Sequence, residues 1–235
     1  MAQAEQQGEH EVMAEIIERS RTRLALRARV ARDDVNEFCE LVLKDEETGV
    51  PITQAPIHER WHSLCDANRR LVIWSHTEAG KTSQICIGRT LWVLGRNPKT
   101  RVAIISNTRE QASKIIQAVA KYIAESKELK LVFPHLKPGD LWRANAISIA
   151  RDNVSKDPSV QAFGVHGAVV GARIDHLILD DVLDFENCQT PRARQDLFDW
   201  YRSTVSSRLT KDASVIAIGT PWHPEDLYQD RKSVV

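Results

Sequence analysis

The chain has 235 residues, 42% hydrophobic and 27% charged, with 32 basic and 32 acidic side chains that leave no formal net charge. Those values suit one α/β domain, or one domain with an appendage, and leave enough apolar residues for a sizeable core. They exclude binding of a polyanion through the overall field of the protein, so any nucleic acid would have to meet a local basic patch.

In chain order, residues 1–10 are expected to be unstructured. From Glu11 to about Lys44, Ile17, Leu24, Val35, Phe38 and Leu41 recur at helical spacing. Six arginines from Arg19 to Arg32 read first as a solvated helix face and second as a contact for nucleic acid or an acidic partner. Thr48-Gly49-Val50-Pro51 breaks the chain, giving an N-terminal helical extension or lid over 1–50 and a second region over 51–235. After Pro56 the spacing predicts a strand at Leu71–Ser75, a helix at Lys81–Leu94, a strand at Arg101–Ser106 and a helix at Arg109–Glu125. Leu131–Asp157 is mixed, with turns at Pro134 and Pro138-Gly139 and a strand at Ala146–Ala150. A strand at His176–Asp180, a helix at Pro191–Arg208 and a strand at Ser214–Gly219 complete the pattern. Alternating strands and helices imply a parallel sheet covered on both faces, with ligands at the carboxyl ends of its strands.

Cys39, Cys65, Cys86 and Cys188 form no Cys-x-x-Cys pair, which argues against a zinc ribbon or a disulfide framework and for reduced thiols. No apolar run approaches the ~18 residues of a membrane span. The polar, acidic start is neither a secretory signal nor a transit peptide. A soluble intracellular protein is expected.

Three strand ends carry chemistry. The first runs Leu71-Val72-Ile73-Trp74-Ser75-His76-Thr77-Glu78-Ala79-Gly80-Lys81-Thr82-Ser83. An apolar strand, a short loop, Gly-Lys-Thr and a helix are the layout of a phosphate-binding loop. Backbone N–H groups and a helix N-terminus wrap phosphate, the lysine reaches the terminal phosphates, and the threonine hydroxyl meets Mg²⁺. Ser75 stands where that pattern has its first glycine. The second end is Leu177-Ile178-Leu179-Asp180-Asp181. There the first carboxylate can orient a magnesium hydration shell and the second can polarise a water. The third is Val215-Ile216-Ala217-Ile218-Gly219-Thr220, whose hydroxyl suits a γ-phosphate sensor, although an ordinary strand-ending turn would look the same.

The chain resembles the ATPase domain of the large terminase subunit of tailed phages, motors that pump double-stranded DNA into a procapsid. The likeness runs from about Gln54 to Tyr228. It rests on Ser106-Asn107-Thr108-Arg109-Glu110-Gln111-Ala112, on Gly164 through Gly171-Ala172-Arg173-Ile174-Asp175 into Asp181, and on Ile218-Gly219-Thr220-Pro221-Trp222-His223-Pro224-Glu225-Asp226-Leu227-Tyr228. The resemblance implies a P-loop NTPase of the RecA-like (ASCE) class that uses ATP and Mg²⁺. Lys81 and Thr82 would hold phosphate and metal, Asp180 the metal, Asp181 would be the catalytic carboxylate and Thr220 the coupling residue. Ser75 through Ser83 would cradle the nucleotide, and Gln54, His58 and Trp61 would lie on its adenine side. Implied partners are double-stranded DNA, a portal protein, a small terminase subunit and further copies in a ring, in the host cytoplasm and transiently at the portal vertex.

Two departures stand out. Many relatives carry an arginine three residues before the Gly-Lys pair, where this chain has Thr77. A charge-stabilising arginine is worth ~10³–10⁵ in rate, so it should come from Arg143, Arg151 or Arg173, in the same subunit or a neighbour; surface ion pairs are the alternative for each. The full-length family also adds a C-terminal nuclease domain, for which 235 residues leave no room, so DNA cleavage is not expected.

Other readings remain open. His58-Glu59-Arg60-Trp61-His62 fits the zinc-hydrolase pattern His-Glu-x-x-His, although Pro56 puts His58 in a first helical turn. A RecA-like helicase or translocase core would share the first two strand ends. A non-catalytic nucleotide-binding docking module would tolerate the substitutions at Ser75 and Thr77.

Overall fold

Each central strand is apolar on both faces, so the sheet it forms must be covered on both sides. The computed structural model, which describes residues 2–152, 155–169 and 172–229 and side chains from Met13 onward, has that architecture. Its strands are β1 (Arg70–Trp74), β2 (Val102–Ser106), β3 (Pro138–Arg143), β4 (Ala146–Ile149), β5 (Val160–Gly164), β6 (Ile174–Asp180) and β7 (Leu209–Gly219). They form one seven-stranded sheet in the order β1-β7-β6-β2-β5-β4-β3. The β1/β7, β7/β6, β6/β2 and β2/β5 pairs are parallel, and β4 and β3 extend the sheet as an antiparallel hairpin.

The sheet divides two cores by strict alternation. Val102, Ile104, Ile178, Ile216 and Ile218 face one layer, and Ala103, Ile105, Leu177, Leu179, Val215 and Ala217 face the other. The first layer is built by α1 (Ala2–Ala31), α2 (Val35–Val42), α3 (Pro56–Ala67), α4 (Thr90–Arg96), α5 (Arg109–Glu125) and α6 (Lys127–Val132). The second is built by α7 (Phe185–Cys188), α8 (Pro191–Trp200) and the wide and tight turns over Tyr201–Val205 and Ser206–Arg208.

Local sequence explains the element ends that matter. In α5, Thr108 accepts from Gln111 N at 3.2 Å while the Gln111 side chain accepts from Thr108 N at 3.1 Å. This reciprocal box is worth about 1 kcal/mol and starts the helix at the carboxyl end of β2. Thr190 caps α8 by accepting from Ala193 N at 3.1 Å, with Pro191 at the first helical position.

Two expectations need correction. α1 begins at Ala2, so the first residues are helical; the Ala/Glu/Gln-rich start has strong intrinsic helix propensity without an apolar stripe to reveal it. The arginines from Arg19 to Arg32 agree with a solvated face, all but half-buried Arg27 being exposed; Arg27 pairs with Glu37, and Arg32, just beyond α1, donates from Nε to Val132 O at 2.9 Å. Finally, Pro138-Gly139 opens an edge strand, the one strand position where a missing backbone donor costs little. Gly171, in the segment that carried part of the family likeness, lies outside the described residues. No helix among the described residues is long and apolar enough to cross a membrane.

Candidate nucleotide site

The register of β1 against β7 sets Trp74 opposite Gly219, and that of β7 against β6 sets Ile218 opposite Asp180. The phosphate loop, the Gly219-Thr220 end and the Asp180-Asp181 end therefore leave three adjacent strands at one edge of the sheet.

The loop turns through two left-handed residues, Glu78 at φ 64° and Gly80 at φ 78°. Glycine takes that conformation freely, and the site of a Cβ at position 80 lies in van der Waals contact with His58 Nε2, at 3.4 Å. Ser75 adopts no left-handed conformation: among the described non-glycine residues only Glu78, His166 and Asp181 do. The backbone here does not need the glycine that the common pattern places at that position. The helix then runs from Lys81 through a wide, π-type segment, Thr82–Arg89, directly into α4. Lys81 is buried and folds back over the loop, its Nζ donating to Ser75 O and His76 O, each at 2.7 Å. His76, Thr77 and Glu78 are exposed, while Ala79 and Ser83 are half-buried.

Thr82 Oγ1 donates to Asp180 Oδ1 at 3.4 Å, which joins the first helical turn to the end of β6. Asp180 is 8% exposed. Burial, followed by the neighbouring charge of Asp181, pushes its carboxyl up to about 6, while Cys86, Thr82 and Lys81 act in the opposite direction. Burial also drives the Cys86 thiol well above its ordinary range, with the nearby charges of Asp180 and Asp181 adding to it, so it remains protonated. Asp181 is exposed at φ 45°, a conformation costing about 1–2 kcal/mol for a residue with a Cβ. Its own N–H donates to Ile218 O at 3.0 Å. Thr220, half-buried, directly follows the last residue of β7.

The predicted adenine-side residues form a polar relay behind the loop. His58 Nδ1 accepts from Ala55 N at 3.2 Å, so Nε2 carries the proton it donates to Ala79 O at 3.0 Å. Gln54 Oε1 accepts from Gln84 Nε2 at 2.5 Å, and Gln84 Oε1 accepts from His62 Nε2 at 3.0 Å. Trp61 is buried at 4% and packs on the His58 ring at 5.3 Å, so it supports the site from behind. His58 and His62 are thus committed to hydrogen bonds with Ala55, Ala79 and Gln84, the last shared between them. No group of three metal-ligating side chains occurs among the described residues, which leaves the zinc reading without a ligand set.

The arginines predicted to act catalytically are not brought to the site within one chain. Arg143 ends β3, six inter-strand steps from β1, or roughly 29 Å at about 4.8 Å per step. Arg173 is exposed just before β6, and its backbone N donates to Asp157 at 3.4 Å. That is the opposite end of the strand from Asp180. Arg151 Nη2 donates to Ser159 Oγ at 2.5 Å and to Asp157 O, bracing the amino end of β5. Sequence reading also missed Gln84 and Cys86, whose only signal is their position on the inward face of the helix that follows Thr82. It missed as well the bond from Asn107 Nδ2 to Asp184 Oδ2 at 2.6 Å, which ties the end of β2 to the segment after Asp181.

A Gly-Lys-Thr loop after an edge strand, a paired carboxylate on the strand two places away and the β7 strand between them are the arrangement of the P-loop, RecA-like fold class. Residues 77–235 match the family described as terminase large subunit, T4likevirus-type, N-terminal, and the chain belongs to that family. It is 28% identical over 168 residues to the terminase large subunit of Enterobacteria phage T3, covering 69% of this chain but 28% of that protein's length. The fold is similar to the ATPase domain of a Thermus phage large terminase at a TM-score of 0.51 and 19% identity, covering 72% of this chain and 66% of the other.

Proposed function

We propose that this chain is the ATP-hydrolysing motor domain of a DNA-packaging terminase, coupling Mg-ATP hydrolysis to translocation of double-stranded DNA into a procapsid. The observation that carries the reading is the Thr82–Asp180 contact, which brings the Gly-Lys-Thr loop after β1 to the buried first acid of the pair at the end of β6, two strands away. A buried carboxyl pushed up to about 6 beside an exposed second carboxylate is an arrangement that a divalent cation would relieve. Thr82 and Asp180 would hold Mg²⁺, whose charge would neutralise developing negative charge on the phosphates.

In this mechanism Lys81 leaves the carbonyls of Ser75 and His76 for the terminal phosphates. Asp181 orients a water and accepts its proton as the water oxygen bonds to the γ-phosphorus. The bond from that phosphorus to the bridging oxygen breaks, giving ADP and phosphate. Thr220 senses loss of the γ-phosphate and passes it along β7. Gln54 and His58 form the adenine side. The missing arginine comes from a neighbouring copy in a ring: Arg143 is exposed on an outer edge strand, where it is available to another subunit. Contacts to DNA are to phosphates and therefore fall steeply with salt. A portal protein and a small terminase subunit are the expected further partners, in the host cytoplasm and at the portal vertex.

Steady-state ATPase of wild type, Lys81→Ala and Asp181→Asn, with and without double-stranded DNA, tests the reading. Turnover stimulated by DNA in wild type, lost with Lys81→Ala, and lost with nucleotide binding retained in Asp181→Asn is expected. Hydrolysis that survives Lys81→Ala would falsify the assignment.

A further inference from the structure

The string from Thr220 to Tyr228 contains more than the sensor hydroxyl. Asp226 is 1% exposed and accepts four backbone N–H groups: Trp222 at 2.9 Å and His223 at 3.1 Å on one oxygen, Tyr228 at 3.0 Å and Gln229 at 3.2 Å on the other. The neighbouring Glu225 is held by Arg194 at 3.0 Å, and Arg194 also donates to Cys188 O at 2.9 Å, which anchors the turn to the loop before α8. This turn reverses the chain and drives Tyr228 back beneath the nucleotide site, where its ring is buried.

The Tyr228 hydroxyl accepts from Val182 N at 3.2 Å and donates to Ile218 O at 3.3 Å. Ile218 O is also the acceptor for Asp181 N at 3.0 Å. The peptide units on both sides of Asp181 are therefore tied to β7, one directly and one through the phenol. Packing reinforces the tie: a Cβ on Gly219 would lie 2.9 Å from Asp181 Oδ1 and 3.0 Å from both Tyr228 Cε2 and its hydroxyl oxygen. Strand end, carboxylate and ring thus meet in one place, and Asp181 is held in a left-handed conformation that it would otherwise tend to leave.

We propose that Tyr228 is the positioning residue for Asp181, its hydroxyl locking the carboxylate's backbone to the strand that ends in Thr220. The inference rests on the reading of Asp181 as the water-orienting carboxylate. Asp226 is the organiser that delivers the phenol. A hydroxyl is needed because it must donate and accept at once, which phenylalanine cannot do although it fills the same space. The tie also provides a physical link between sensor and carboxylate, since displacement of Ile218 and Gly219 shifts both amides flanking Asp181.

The test uses the whole chain with Tyr228→Phe, Asp181→Asn and the double variant, and Asp226→Asn as a second route should Tyr228→Phe not fold. Amide exchange reports the tether independently of turnover. Val182 is expected to exchange at least tenfold faster in Tyr228→Phe, with interior amides of β2 and β6 unchanged. In ATPase assays kcat should fall about tenfold with KM within twofold, and the double variant should be no slower than Asp181→Asn alone. Unchanged Val182 exchange overturns the proposal, as does an equal further loss of kcat in the Asp181→Asn background. Wild type without turnover, but with Val182 protection that Tyr228→Phe abolishes, sinks the hydrolysis reading and supports the tether.

Discussion

The hydroxyl of Thr82 donates to Asp180 Oδ1 across 3.4 Å, so the phosphate-loop helix and the acidic strand share one polar contact at the point where both end. The contact carries opposed energies. Asp180 ionises at the expense of burial and of repulsion from Asp181, and its carboxyl is pushed up to about 6 from an ordinary 3.8. That shift penalises the folded state by about 3 kcal/mol at neutral pH. Asp180→Asn should therefore raise the unfolding free energy by about 1–3 kcal/mol at pH 7.5, while weakening Mg²⁺-dependent nucleotide binding roughly 10–100-fold. Urea unfolding and nucleotide titration with and without Mg²⁺ measure the two effects. Loss of stability together with unchanged Mg²⁺ dependence would remove Asp180 from the metal site.

Gln84 is the hub behind the loop, accepting from His62 and donating to Gln54. Gln84→Leu keeps the volume but leaves buried His62 and half-buried Gln54 without their partner, and a loss of this kind costs about 1–3 kcal/mol for a buried group. The unfolding free energy should fall by about 2–4 kcal/mol. KM for ATP should rise if Gln54 is the adenine contact, because its amide is no longer fixed. A variant as stable as wild type would mean that water replaces the bond.

How much of this could be read from residues follows from what periodicity encodes. The strands ending at Trp74, Ser106, Asp180 and Gly219 are apolar runs with polar stops, and the helix from Arg109 to Glu125 carries its capping box in plain view, so these elements and the three strand ends were legible. β5 was not, because Val-Gln-Ala-Phe-Gly has the short alternation of many loops and becomes a strand through pairing with β2. The relay through Gln84 and the tie through Tyr228 were hidden for a different reason. The Gln84–Gln54 and Val182–Tyr228 bonds join residues 30 and 46 apart, and nothing local in a glutamine or tyrosine names its partner. Arg143, Arg151 and Arg173 stay open between the same subunit and a neighbour at the level of sequence, because residue type does not say which site a side chain reaches.

Gly95 tests the packing of the first layer. In α4 an alanine should gain about 1 kcal/mol of helix propensity, yet a Cβ there would lie 2.1 Å from Phe133 Cδ2. Phe133 is 4% exposed and packs on Phe38 at 5.7 Å, so its ring has little room to move. Overpacking of this kind costs about 1–3 kcal/mol, and the clash should outweigh propensity. Thermal unfolding of Gly95→Ala is expected to show a lower Tm, partly restored by Phe133→Leu. A Tm at or above wild type would mean that α6 shifts outward without cost.

Two buried imidazoles predict the acid limb of stability. Burial holds His62 down to about 4, with Arg89 and His58 adding to the effect and Gln84 and Asp66 opposing it; burial and Arg89 hold His176 down to about 3. Both folded values lie below the unfolded 6.5, so the unfolded chain binds protons first. Their contribution is complete above about pH 6.5 and is lost as pH falls toward 4 for His62 and 3 for His176. At pH 4.5 each should have withdrawn about 2–3 kcal/mol. Asp180 runs the other way, its penalty present above pH 6 and relieved toward pH 4, so the informative quantity is the difference in slope between proteins. His62→Gln should flatten the fall in urea midpoint between pH 6.5 and 4.5 by about half of the combined histidine effect, since His176 remains. An unaltered slope would show that His62 is not neutral by burial in the folded chain, and the relay from His62 through Gln84 to Gln54 would then have to carry a charged imidazole.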